Sequence, residues 1–199
     1  EKDDGCWQWG GELVVHEILQ QADGTLAVRM PRMVLSQFNQ LTASSPIPLL
    51  GTWKRVGNIF TASAVGRFSA LAYGAMPEEC LIEMTLRYQR GTLGCGVLLR
   101  AADDLERYYQ VRLEPGNGRL VIDRWPRPGD QAFMLERPLA IQPGQPINLR
   151  LLISGSNLVV YADVRVALSC RLYDHRQGNF DLFVTEGEST FLGVTMKTR

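Results

Sequence analysis

Between Ile147 and Lys197 the chain alternates apolar and polar side chains with a period of two, strand after strand, around turns made of Gly, Asp, Ser and Asn. In Val166-Ala167-Leu168-Ser169-Cys170-Arg171-Leu172, the set Val166, Leu168, Cys170 and Leu172 is apolar, while Ala167, Ser169 and Arg171 are small or polar. Successive side chains of an extended chain point to opposite faces, so this pattern describes a strand with one face buried. A chain that repeats it commits most of its length to sheets that must pack face to face.

From Arg67 onward the same reading predicts strands near 67–73, 80–88, 94–100, 107–113, 119–124, 132–137, 147–154, 158–163, 166–173, 179–185 and 189–197. Ile82, Met84, Leu86 and Tyr88 form one face against Leu81, Glu83, Thr85 and Arg87. Tyr109, Val111 and Leu113 do the same against Tyr108, Gln110 and Arg112. The cuts coincide with turn chemistry in Glu114-Pro115-Gly116-Asn117-Gly118, Gln142-Pro143-Gly144-Gln145-Pro146 and Ser154-Gly155-Ser156-Asn157. No stretch in this region demands a long helix. About a dozen antiparallel strands exceed the seven to nine of an immunoglobulin domain, so the expectation is all-β: a two-sheet antiparallel sandwich of jelly-roll, concanavalin-like or lectin-like type.

The beginning reads differently. Leu13 to Leu19 and Leu26 to Met30 are β-favouring runs around Ala22-Asp23-Gly24-Thr25, which predicts a hairpin. Pro31 suits the first turn of a short helix over Arg32 to Phe38, and Thr42 to Pro48 reads as a connector. A boundary near residue 40 therefore divides a hairpin-and-helix linking segment, 1–40, from the sandwich, 41–199.

Charge excludes some functions. The 21 basic and 21 acidic residues cancel, and neither sign forms a long run, so no electrostatic footprint for nucleic acid or an anionic membrane exists. No apolar stretch approaches the roughly 20 residues that cross a bilayer. A beginning at Glu1, without Met, a basic n-region or a hydrophobic h-region, leads to the expectation of a mature protein or an excised fragment. Cys6, Cys80, Cys95 and Cys170 lie far apart with no C-x-x-C, and His16 and His175 are the two histidines. That spacing predicts buried thiols rather than a zinc site, and leaves a Cys80 to Cys95 disulfide open. No cofactor or metal is expected.

Ile147-Asn148-Leu149-Arg150-Leu151-Leu152-Ile153 through Leu158-Val159-Val160-Tyr161-Ala162-Asp163, followed by Ala167 to Tyr173, resembles the C-terminal β-sandwich module of glycoside hydrolase family 32, the invertases, inulinases and levanases. Gly118-Arg119-Leu120-Val121-Ile122-Asp123-Arg124 is similar to that module's "GRLVVDRS" strand, and Gly96-Val97-Leu98-Leu99-Arg100 to its "FGLLLRA" strand. Trp9-Gly10-Gly11-Glu12-Leu13 with Asp23-Gly24-Thr25-Leu26 is similar to the segment that leaves the family's catalytic propeller. Ser154 in place of the usual Asp, Ala162-Asp163-Val164 in place of Asn-Asp-Gly, and Trp125 in place of Ser put the resemblance in a divergent branch.

The resemblance implies an accessory module without catalytic residues of its own, an N-terminal propeller domain as partner, and an extracytoplasmic location, secreted or periplasmic. Retaining glycosidases of this kind need two carboxylates about 5 Å apart, and both come from the propeller. Its "WMNDPNG" and "RDP" motifs have no counterpart here. Glu79-Cys80 matches the middle of the family's "WECP" acid/base motif, but lacks the flanking Trp and Pro and opens a strand on which Glu79 faces outward with Glu83 and Arg87. His175, in a polar turn, and His16, on the opening ribbon, have no nucleophile placed near them by sequence. Gly94-Cys95-Gly96 leads into a strand instead of a phosphate-holding helix.

Carbohydrate binding without catalysis is the second reading. Sugar rings stack their C–H faces on exposed aromatics while charged and amide groups bond the hydroxyls. Trp125 beside Asp123 and Arg124, with Tyr108 on an outer strand face, supplies such a set. Trp125 equally suits packing on the sandwich edge or docking on a propeller.

Overall fold

The computed structural model describes residues 13–127, 129 and 135–199. Two antiparallel sheets lie face to face over a shared core. One has the order β12 (Leu135–Pro138), β11 (Arg119–Trp125), β10 (Tyr108–Glu114), β9 (Gly94–Ala101), β16 (Asn179–Thr185), β7 (Phe68–Ala75) and β4 (Ile47–Leu50). The other runs β15 (Val166–Arg171), β14 (Asn157–Ala162), β13 (Ile147–Ser154), β8 (Glu79–Tyr88), β17 (Glu188–Thr198), β6 (Ile59–Ser63) and β5 (Thr52–Val56), with the short β3 (Gln40–Leu41) paired to β17. The expected two-sheet, lectin-like sandwich is the fold of the chain.

Alternation sets which side chains enter the core. Ile82, Met84, Leu86 and Tyr88 of β8 face Tyr109, Val111 and Leu113 of β10 and Leu120 and Ile122 of β11 within one cluster. Phe60, Phe180 and Phe191 are sealed there, and full burial of such a ring contributes roughly 1.5–3 kcal/mol each. Tyr73 carries a hydroxyl into this layer and donates it to the Val194 carbonyl at 2.7 Å, so its polar end is satisfied.

The strands between 47 and 63 are not among those the sequence predicts. Pro46, Pro48, Gly51 and Gly57 punctuate that stretch and make it read as connector. The chain tolerates Pro48 because β4 is an edge, where a missing N–H breaks no ladder. Gly51 takes φ +74, and a Cβ there would lie 2.1 Å from Ser69 Oγ, so this corner between the sheets requires glycine.

The opening segment forms a ribbon, β1 (Glu17–Gln20) with β2 (Leu26–Arg29), followed by one helical turn, α1 (Arg32–Leu35). Met30 and Phe38 are buried against Leu81, Val159 and Tyr161 on the outer face of the second sheet. His16 Nδ1 lies 2.8 Å from the Tyr161 hydroxyl. The loops gather at two ends: 89–93, 115–118, 139–146 and 186–187 at one, and 102–107, 155–156 and 172–178 at the other.

Candidate functional site

Of the residues singled out for sugar contact, Tyr108 and Trp125 are directly opposite each other in the β10–β11 register. Their strand neighbours Tyr109 and Arg124 have the opposite parity, so the two aromatics share the outer face of the first sheet. Trp125 ends its strand and is 45% exposed. Tyr108 is half-buried beside Leu98, Ala101 and Phe183. Burial raises its phenol pKa, so the hydroxyl stays protonated and can both donate and accept.

The charged members of the set are already engaged. Asp123 is buried; its Oδ2 accepts from Arg127 Nη2 at 2.7 Å and Nε at 3.1 Å and from Arg112 Nη1 at 3.5 Å, while Oδ1 accepts the Arg124 backbone N–H at 2.8 Å. It holds the Arg112 and Arg127 guanidiniums in place, and its side chain is nearly closed to solvent. Arg124 donates to Asp174.

That pairing shows what sequence reasoning missed. The turn 173–177 folds back over the end of β10 and β11: the Asp174 N–H donates to Tyr109 Oη at 2.7 Å, and His175 Nε2 lies 3.2 Å from the Trp125 carbonyl. Burial pushes the Tyr109 phenol up to about 12. The result is an open recess of about 440 Å³ lined by Arg107, Tyr173, Asp174, Arg176 and Gln177, next to the strand end that carries Trp125. The polar run at 173–177 is visible in the sequence, but its approach to Trp125 depends on which strands pair. An aromatic platform flanked by guanidinium, carboxylate, amide and phenol groups can hold a hydroxylated ring by stacking and by mixed donor and acceptor bonds.

The remaining candidates take structural positions. Glu79 begins β8 on the outer face, 3.4 Å from Arg199 and accepting from Ser154 Oγ at 3.4 Å, with no second carboxylate bonded to it among the described residues. Glu83, on the same face, is paired to Arg150 and Lys197. Gly96 admits the β10 backbone: a Cβ there would lie 2.0 Å from the Val111 carbonyl oxygen. Cys80 and Cys95 are free, buried thiols on strands of different sheets and toward opposite ends of the sandwich, so the disulfide left open by their spacing does not form. Burial pushes Cys80, Cys95 and Cys170 up to about 12. Cys6 and the Trp9-Gly10-Gly11-Glu12 motif lie outside the described residues. No helix among the described residues is long and apolar enough to cross a membrane.

No protein-family model and no curated protein sequence matches the chain. Solved structures do resemble it in fold. The carbohydrate-binding module CBM66 from Bacillus subtilis superposes with a TM-score of 0.68 at 17% identity, covering 77% of this chain and 95% of that one. A fructosyltransferase from A. japonicus gives 0.64 at 18% identity, covering 94% of this chain and 32% of that one. An exo-inulinase from Aspergillus awamori gives 0.59 at 12%, covering 92% and 34%. The chain thus spans about a third of the two enzymes and nearly all of the binding module. At these identities the likeness establishes the fold, a lectin-like sandwich shared by carbohydrate-active proteins.

Proposed function

We propose that this chain is a non-catalytic accessory sandwich of a secreted, family 32-like protein that cleaves fructan or sucrose, and that it stabilises an N-terminal propeller carrying the catalytic carboxylates. The single observation that carries this reading is coverage: 92–94% of the chain overlays on about one third of the fructosyltransferase and inulinase chains. A segment with its own sealed core can dock on a neighbouring domain as a unit, and an interface above roughly 1,000 Å² holds such pairs together. Removing the segment from the parent protein lowers its melting temperature or solubility. An unchanged melting curve and unchanged solubility would overturn the role.

A second reading, a carbohydrate-binding module, is favoured by the Tyr108–Trp125 platform beside the 173–177 recess and by the near-complete coverage of CBM66. In it Trp125 stacks on the ring, Tyr108 and Arg124 bond hydroxyls, and Asp123 acts only by orienting Arg127.

A further inference from the structure

At the end of the sandwich away from Trp125, four loops border an open cleft of about 520 Å³, within the size range of small-ligand sites. Its walls are tied together. The Leu93 N–H donates to the Glu186 carbonyl at 3.2 Å, Leu139 N–H to Gly118 at 2.7 Å, and Gly144 N–H to Tyr88 at 2.8 Å. Thr92 Oγ1 donates to the Glu188 carbonyl at 2.8 Å. Gly187 is locked against Thr92, where a Cβ would come within 2.5 Å of the Cα. Such a cleft is formed before any ligand arrives, which limits the ordering entropy of binding.

Its lining includes the exposed side chains of Arg90, Gln142 and Glu186, each from a different loop, while the polar groups of Tyr88, Thr92 and Asn117, which also line it, are bonded to Ile141, Glu188 and Glu114. Among the described residues, the Arg90 guanidinium, the Gln142 amide and the Glu186 carboxylate have no side-chain hydrogen bond, and no ion pair joins Arg90 to Glu186 although both line one cavity. Glu186 also sits at φ +49 in the two-residue link between β16 and β17. Asn or Gly is the favoured occupant of such a position, because an L side chain with a Cβ is strained in the left-handed region. Strain of this kind collects where a side chain is needed for binding.

We propose that this cleft is a second ligand site, which takes one ring of a neutral sugar: Arg90 and Gln142 donate to its hydroxyls, Glu186 accepts from them, and Leu93 with Pro115 covers its apolar edge. Hydroxyls both donate and accept, which matches this mixed set. A carboxylated or phosphorylated ring would meet both Arg90 and Glu186, so the pair gives an anion no net attraction. The proposal rests on the carbohydrate-binding reading for the class of ligand, and its location is independent of Trp125.

The test is amide-resolved NMR titration of the full 199-residue chain with fructose and sucrose, and with glucuronate as the anionic ring. The neutral sugars shift the amides of Gly91, Leu93, Gly118 and Gly187 with saturation in the millimolar range, and glucuronate binds no more tightly than they do; a marked preference for glucuronate would overturn the neutral-sugar assignment. Glu186→Gln or Arg90→Met weakens the effect by about fivefold, while Trp125→Ala leaves it intact. Glu186→Gly relieves the backbone, raises the melting temperature by about 2 °C and abolishes the shifts; retained shifts in that variant would overturn the site. Shifts confined to the Trp125 end would also overturn it, with the carbohydrate reading left standing. Silence at both ends would overturn both.

Discussion

Asp181 on β16 stands opposite Leu98 of β9 on one side and Ala72 of β7 on the other, which puts a carboxyl group among apolar neighbours on the outer face of the first sheet. Phe183, stacked on Phe68, and Leu98 are fully buried on that same face. Among the described residues, neither Asp181 oxygen has a hydrogen-bond partner. Burial, with a smaller contribution from the Asp103 charge, raises its pKa from 3.8 to about 7.

The sign of the pH effect follows from which state holds the proton. The unfolded chain releases this proton near pH 4 and the folded chain near pH 7. Through that window the folded state binds more protons, so its stability falls as pH rises. A tenfold difference in proton affinity between the two states is worth about 1.4 kcal/mol. Asp181→Asn removes the ionisation, so the variant gains on the wild type as pH rises from about 4 to about 7. Denaturant unfolding of both proteins across this range checks it. A stability difference that stays flat with pH would mean that the carboxyl is ionised in the folded chain.

Asp181 also marks the limit of what the sequence discloses. Alternation assigns it to the outer face together with Phe183 and Thr185, where an Asp is ordinarily solvated. Its burial depends on neighbours from β9 and β7, which are distant in the chain and adjacent only through the sheet order. The same holds for Trp125. Its strand and facing are legible from Leu120 and Ile122 pointing inward, but the turn 173–177 reaches it from 50 residues away through Arg124–Asp174 and His175. Strands with strong period-two patterns, such as β8 and β13, are legible nearly to the residue. The weakly patterned edge strands β4 and β5 carry Pro48 or exposed side chains at most positions, so nothing periodic announces them.

Arg100 offers a second test. It sits at φ +53 where the register between β9 and β16 shifts, with Phe180 opposite Leu99 and Asn179 opposite Ala101. This turns its side chain to the sandwich end, where its guanidinium donates to the carbonyls of Leu172 at 3.0 Å, His175 at 2.8 Å and Gly155. One buried side chain therefore pins loops of both sheets. Arg100→Met keeps much of the volume and orphans three carbonyls, so it destabilises the fold by about 3 kcal/mol. Equilibrium unfolding measures this directly, and a variant as stable as wild type would show that water or backbone relaxation replaces the donors.

The opening segment is bound to the sandwich by burial rather than by sequence proximity. Phe38 and Met30 are each 3% exposed against Leu81, Val159 and Tyr161, and Arg199 Cζ lies 5.5 Å from the Phe38 ring centroid. Immediately after Phe38 the chain enters the second sheet: Gln40 and Leu41 pair with Thr198 and Lys197, and the Thr42 N–H donates to Met196 at 2.9 Å. Truncating a buried phenylalanine costs about 3–5 kcal/mol. If the ribbon and the sandwich unfold as one unit, Phe38→Ala lowers the midpoint of a single transition followed by near-ultraviolet circular dichroism, which reports on core aromatics of both sheets. Deleting residues 1–38 uncovers Leu81, Val159 and Tyr161 together and turns an apolar patch of sheet toward solvent, so the shortened chain is less stable and aggregates. A shortened chain with the full-length melting temperature, or an early separate transition in Phe38→Ala that leaves the main one unmoved, would instead make residues 1–40 an independent linking segment.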